Sequence, residues 1–212
     1  MKKIVLILLM GLALSMVGCS SVSSKFLIGE PVTDDLRQKF DGVWDFGDEN
    51  IGHIKYLGNG RLRIAGGEWK ENRFDLEEMD VILTKCGNKQ FVNFHDQEEV
   101  NENESDYLFG YCAFIGDDYF LVWLPKTDAF EKAVNDGKIK GKVVKEKSSK
   151  SIYLEETPEK ICRFFQSQPV ELLFDLEDPM IYRRIIRKKV EGSPPQPAGK
   201  SGTTPCVSPP CP

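Results

Sequence analysis

Histidine, cysteine and clustered carboxylates are the residues here whose chemistry could carry a reaction. The chain holds two histidines, His53 and His95, and six cysteines, Cys19, Cys86, Cys112, Cys162, Cys206 and Cys211. Either histidine could join Cys86 or an acid around zinc, yet no C-x-x-C or H-x-x-x-H spacing preforms such a site. No G-x-S-x-G elbow nominates a nucleophilic serine. Gly58-Asn59-Gly60 lacks the G-K-[ST] ending of a phosphate loop. The acids Asp96, Glu98, Glu99, Glu102, Glu104 and Asp106 lack the D-x-D-x-D-G turn and distal bidentate glutamate of a calcium loop, so they read as a solvated connection. Glu77 and Glu78 are adjacent carboxylates in an acidic chain and nominate no acid–base pair. The expectation is therefore no catalytic residue, no metal, no cofactor and no enzyme.

Cys19 differs from the other cysteines through what precedes it. Lys2 and Lys3 open the chain, Ile4 to Val17 form an apolar run too short to span a bilayer comfortably, and Gly18-Cys19 follows at once. That order is an export signal. The tetrad Met16-Val17-Gly18-Cys19 resembles the lipobox of bacterial lipoproteins, with Met16 and Val17 where Leu and a small residue are usual. The resemblance implies cleavage between Gly18 and Cys19, a diacylglycerol on the Cys19 sulfur, and an acyl chain such as palmitate on the freed amino group. At about 0.8 kcal/mol per buried methylene, two or three chains give durable membrane attachment where one would not. Ser20, in place of Asp, implies by the same resemblance transfer to the periplasmic face of the outer membrane in a Gram-negative host.

Composition narrows the partners. The 28 basic against 33 acidic residues give −5, and loss of Lys2 and Lys3 takes the mature chain to −7, which argues against nucleic acid. The expected contacts are the membrane through acyl chains, and an envelope protein or a small apolar ligand. Export leaves Cys86, Cys112, Cys162, Cys206 and Cys211 where disulfides are permitted. Cys206 and Cys211 lie close enough to bridge each other. Cys86, Cys112 and Cys162 read as buried small hydrophobes in preference to a specific bridge.

The elements that must position these residues follow from pattern. Residues 1–18 are the signal peptide, and 19–40 the lipid anchor and tether, with Ser20 to Lys25 small, polar and without apolar period. A short helix after Pro31 has Thr33 as its expected cap. Residues 41–188 form a mostly β globular domain, and 189–212, rich in Pro, Gly and Ser, a disordered tail. Within the domain, Ile51 to Leu57 and Arg61 to Ala65 flank Asn59-Gly60, a tight hairpin signal. Arg73 to Lys85 pairs with Gln90 to His95, and an apolar phase slip near Glu77 and Glu78 suggests a bulge or a break. Tyr107 to Ile115 pairs with Tyr119 to Leu124. Helices are expected from Thr127 or Asp128 to Gly137, and from Pro158 to about Phe165 with Ile161, Phe164 and Phe165 inward. Strands at 139–144, 151–154, 172–174 and 181–186 complete an α+β, mostly antiparallel domain, a curved sheet or small barrel with two late helices.

Gly42-Val43-Trp44 resembles the G-x-W start of lipocalins, and Asp118-Tyr119, with Asp117 in place of Thr, is similar to their later T-D-Y element. The resemblance implies a barrel closed at one end by the tryptophan, an interior for an apolar ligand, and a late arginine to which the sequence assigns no position. Tyr107, Phe109, Tyr111, Tyr119 and Trp123 either form an exposed aromatic strip for a partner, glycan or lipid, or lie under the two helices; the second is the reading taken. Three functions follow in order: an envelope lipoprotein with a non-catalytic binding or scaffolding domain, a lipocalin-like carrier of small apolar ligands, and an envelope hydrolase with His and acid side chains converging in a polar cleft.

Overall fold

The computed structural model describes residues 20–47, 50–70, 73–95, 107–147 and 149–187. The expected signal peptide, Cys19, the acidic connection 96–106, and the tail with Cys206 and Cys211 lie outside these residues. Strong turn chemistry starts the sheet. Strands β4 (Ile51–Gly58) and β5 (Arg61–Lys70) meet at Asn59 and Gly60, whose φ angles of 50° and 73° are the left-handed values that Asn-Gly supplies. A Cβ on Gly60 would stand 2.3 Å from the Leu83 carbonyl oxygen, so the turn is closed against the next strand.

That next strand, β6 (Arg73–Cys86), pairs in unbroken register with β5 from Arg61↔Ile82 to Lys70↔Arg73. The bulge or break expected near Glu77 is absent. Met79, Val81 and Leu83 point inward, whereas Leu76, three residues before Met79 and so on the outward face of the same straight strand, is 75% exposed. Strands β7 (Lys89–His95), β8 (Tyr107–Ile115) and β9 (Tyr119–Trp123) continue the antiparallel meander. β12 (Met180–Arg187) pairs with β9 on one side and with β3 (Gly42–Asp45) on the other, and β3 returns to β4. Eight strands, in order β8-β7-β6-β5-β4-β3-β12-β9, therefore close on themselves. Closure removes the sheet edges that would otherwise be open to pairing.

The two-residue strand β2 (Glu30–Pro31) pairs antiparallel with the end of β6, and a short flap departs from the ring. β1 (Ser21–Ser24) lies antiparallel to the start of β8 and parallel to β11 (Lys150–Leu154), which pairs with β10 (Gly141–Lys145). The tether expected from Ser20 to Lys25 is thus corrected: Ser24 and Val22 are buried at 0% and 2% exposure, and the strand is held by partners on both sides. Chain segments distant in sequence impose this structure on a run with little apolar character of its own.

Four short helices attend the sheet. α1 (Arg37–Phe40) begins after Leu36, later than a Thr33 cap would place it. α2 (Thr127–Asn135) ends where Gly137 turns at φ 68°, and α3 (Pro158–Ser167) starts with Thr157 before it and Pro158 in its first turn. The Lys89 ammonium donates to the Phe165 and Gln168 carbonyl oxygens, both at 2.5 Å, and so caps the end of α3. α4 (Val170–Leu173) stands where a strand was expected; only Phe174 keeps a bridge, to Pro125.

One sheet thus serves two cores. Inside the barrel lie Trp44, Ile54, Leu62, Ile64, Val81, Leu83, Phe120 and Tyr182. Outside it, α2, α3 and α4 cover the wall of β6, β7 and β8 through Phe91, Phe109, Phe130, Ile161, Phe165 and Phe174. On that outer wall a buried amide organises the polar groups: Asn93 Oδ1 accepts from the Ile28 N–H at 2.8 Å, and Asn93 Nδ2 donates to Thr84 Oγ1 at 2.8 Å. Thr84 Oγ1 in turn donates to the Ile28 carbonyl.

Candidate functional site

The end of the barrel near α1 is closed. Antiparallel connections put the turns at 59–60, 87–88 and 116–118 at this end, tied to neighbouring strands by the Leu83 N–H to the Gly60 carbonyl and by the Arg184 N–H to the Asp118 carbonyl, both at 2.8 Å. Trp44, on the short β3, is fully buried and its indole N–H donates to the Phe40 carbonyl at 2.8 Å. The Arg184 guanidinium, on the paired strand β12, lies 4.8 Å from the Trp44 ring centre and donates from Nη1 to the Gln38 carbonyl at 3.0 Å. A cation over an indole face attracts it electrostatically, and desolvation strengthens that attraction. Arg184 is only 7% exposed, so one side chain binds β12, β3 and α1 together in a dry setting. Trp44 is thus the buried closure of a barrel end.

Aromatic rings fill the interior from that end upward. Phe40 meets Phe114 and Phe120 with ring centres 4.9 and 5.2 Å apart, Phe120 stacks on Tyr182 at 6.1 Å, and Tyr182 meets Phe46 edge-on at 5.4 Å. Burial pushes the Tyr182 hydroxyl far above its ordinary pKa, and it remains a neutral donor, here to Met180 Sδ at 3.5 Å. Toward the opposite end the apolar side chains become partly exposed: Phe46 after β3, Phe94 near the end of β7, Met180 at the start of β12, and Met79 on β6. Gly52 is required there, since a Cβ would stand 2.4 Å from the Phe46 ring. These side chains, two of them flexible methionines, make an apolar surface at the end of the barrel away from α1.

A groove of about 460 Å³ beside α1, lined in part by Asp35, Arg37, Lys55 and Tyr56, is occupied by internal ion pairs. Asp35 binds Arg37 at 2.5 Å, which holds its carboxyl at about 2, and Lys55 binds the buried Asp41 at 2.5 Å. Asp41 also accepts the Tyr56 N–H at 2.7 Å. These groups serve one another.

The remaining candidates are dispersed. His53 and His95 are exposed on β4 and β7, His95 against the Tyr107 ring at 4.1 Å. Among the described residues no group of three or more His, Cys, Asp or Glu side chains could hold a metal ion. Cys86 and Cys162 form a disulfide that joins the end of β6 to α3, which corrects their reading as separate buried thiols; Cα atoms 5.2 Å apart suit the bond. Cys112 is free and buried inside the barrel, where burial raises its thiol well above the ordinary range. Of the aromatic series, Phe109 is core, and Tyr111 stacks on Trp123 at 5.4 Å against that core under Phe174, while Tyr119 is 43% exposed. Arg184 went unassigned in the sequence, although the period-two alternation Met180, Tyr182, Arg184 sets it on the inward face. No protein-family model, curated protein or solved structure matches the chain.

Proposed function

We propose that the chain is a cell-envelope lipoprotein, anchored through acyl chains on Cys19, whose barrel is a lipocalin-like, non-catalytic binding domain that takes a small apolar ligand at the mouth opposite Trp44. The observation that carries the reading is the closure itself: Arg184 over Trp44, bound to the Gln38 carbonyl of α1, in a barrel of eight antiparallel strands. An eight-stranded barrel is wide enough to be filled by side chains or to hold one small ligand, and closure at one end assigns entry to the other. Phe46, Met79, Phe94 and Met180 make that entry apolar. Export is supported by the Cys86–Cys162 disulfide, a bond that persists in oxidising compartments and is rare in the cytosol.

Two experiments test the two halves. Cells grown with an alkyne fatty acid should label the wild type and not Cys19→Ala, with membrane association lost in the variant; an unlabelled wild type overturns the anchor. The purified mature chain should bind a fluorescent fatty acid saturably, and Met79→Trp, which narrows the mouth, should weaken that binding at least ten-fold while the fold is kept. Absence of saturable binding, or binding indifferent to Met79→Trp, overturns the ligand site.

A further inference from the structure

The helices cover the outer wall of β6, β7 and the upper part of β8, and leave another wall bare. On the lower part of β8 and on β9 and β12, the outward positions form two cross-strand rows, apolar except for Arg183, which is paired with Asp45. Ala113, Leu121 and Ile181 stand opposite one another, Leu121 buried between its neighbours, and next to them Ile115, Tyr119 and Arg183. Ile115 is 59%, Ile181 52% and Ile185 46% exposed. Single exposed apolar residues are ordinary, but a contiguous set on three paired strands marks a contact surface.

The place where the chain enters favours one occupant. β1 and β9 lie end to end along the same edge of β8: Ser23 is opposite Leu108 and Trp123 opposite Tyr111. Counting back, Ser21 is level with Gly110, about 10 Å along β8 from Ala113 and about 17 Å from Ile115 at ~3.3 Å per residue. Cys19 precedes Ser21 by two residues and so lies within about 7.6 Å of it by covalent geometry. No long tether separates an acylated Cys19 from the fold, because the strand begins at once. An anchor that short draws the adjacent wall down with it. Tyr119, an amphipathic ring of the kind that settles at a headgroup layer, sits in the middle of this wall.

We propose that the outer wall of β8, β9 and β12 rests on the surface of a phospholipid bilayer, with Ile115, Tyr119, Ile181 and Ile185 in the interfacial layer, so that the domain is held in one orientation. The proposal rests on the Cys19 anchor described above. It orients the barrel with its long axis along the membrane and leaves the mouth free at the side.

The test imposes the attachment, so that it is read apart from natural acylation. The mature full chain, with a hexahistidine segment in place of Cys19, is bound to phosphatidylethanolamine–phosphatidylglycerol vesicles that contain a nickel-chelating lipid and brominated acyl chains. A tryptophan is placed at Ile185→Trp, and as control at Arg63→Trp on β5, the strand diametrically opposite β9 in the ring. The result expected is added quenching and a blue shift for Ile185→Trp relative to wild type and none for Arg63→Trp, with the difference abolished by adding Ile181→Glu. Equal quenching at the two positions, or none at Ile185→Trp, overturns the proposal. So does an anchor-free chain that sediments as a dimer and becomes a monomer on Ile185→Glu, because the wall then belongs to a second copy. Failure of fatty-acid labelling in cells removes the anchor reading instead and leaves the vesicle result to speak for the wall alone.

Discussion

Reduction of the Cys86–Cys162 disulfide is the perturbation whose magnitude the structure defines most directly. The bond spans 76 residues, from the end of β6 across β7, β8, β9, α2, β10 and β11 to α3. In the chain-entropy description, a cross-link over a loop of that length removes about 4.5 kcal/mol of unfolded-state freedom. Cys86 is fully buried in the outer core beside Phe91 and α3, so reduction alone changes no side-chain volume and isolates the cross-link. A domain of this size has a urea slope of about 2 kcal/mol per molar, so the midpoint should fall by about 2 M on reduction. Urea melts followed by circular dichroism, on a Cys206→Ser, Cys211→Ser background that removes any bridge in the tail, measure this. Peptide mapping of the oxidised chain should recover Cys86 linked to Cys162 with Cys112 free. A midpoint that does not move on reduction, or a map in which Cys86 is free or joined to another cysteine, refutes the reasoning and with it the support for an oxidising compartment.

Other expectations are shorter to state. Cys112, buried and with its thiol pushed up, should react with iodoacetamide at pH 8 only as fast as the whole domain opens; rapid alkylation of the folded chain contradicts its place inside the barrel. Gly60→Ala adds a Cβ against the Leu83 carbonyl at a φ of 73° and should cost more than 2 kcal/mol, whereas Gly116→Ala at φ 61°, with nothing within 4 Å, should cost only about 1, the two midpoints being compared in urea. Asp45 accepts the Gly47 N–H at 3.0 Å and binds Arg183 at 2.9 Å, which hold its carboxyl below the usual range. A folded pKa below the unfolded one means that its contribution is complete above about pH 4 and is lost as pH falls through the lowered value. Asp45→Asn should therefore flatten the acid limb of the stability profile and leave its neutral part nearly parallel to wild type.

Local chemistry was legible in the sequence, and chemistry between distant segments was not. The hairpin at Asn59-Gly60 follows from two residues whose backbone freedom admits one kind of turn. Pro158 and Gly137 likewise mark helix ends by their own geometry. By contrast, Ser21 to Ser24 carries almost no strand signal, because its order comes from β8 and β11, encoded some 85 and 130 residues later. The phase change at Glu77 was read as a bulge or a break because period alone does not distinguish a kink from a straight strand with an apolar residue, Leu76, on its outward face. The pairing of Cys86 with Cys162 has no local signature at all. At the closed end, Trp44 was visible through its G-x-W setting, and Arg184 became visible only when the ring closed and set β12 beside β3.

That pairing also permits a test of what Arg184 is for. A buried cation is weak evidence for stability, since an apolar side chain of similar volume often does as well, whereas truncation that strands its partners is costly. Arg184→Ala removes the cover of Trp44 and the donor to Gln38, and should cost about 3 kcal/mol. Arg184→Met keeps an apolar stem over the indole and should recover most of that loss in a thermal or urea melt. The Gln38 carbonyl, however, still lacks its donor in the methionine variant, so α1 should be less firmly docked. Amide exchange at Lys39, Phe40 and Asp41, whose N–H groups bond within the α1 turn at 2.9 to 3.0 Å, should quicken in both variants. Stability restored with exchange still fast means that Arg184 specifies where the closing helix sits. Exchange restored together with stability in Arg184→Met means that packing over Trp44 suffices to hold the end shut, and the hydrogen bond to Gln38 is incidental.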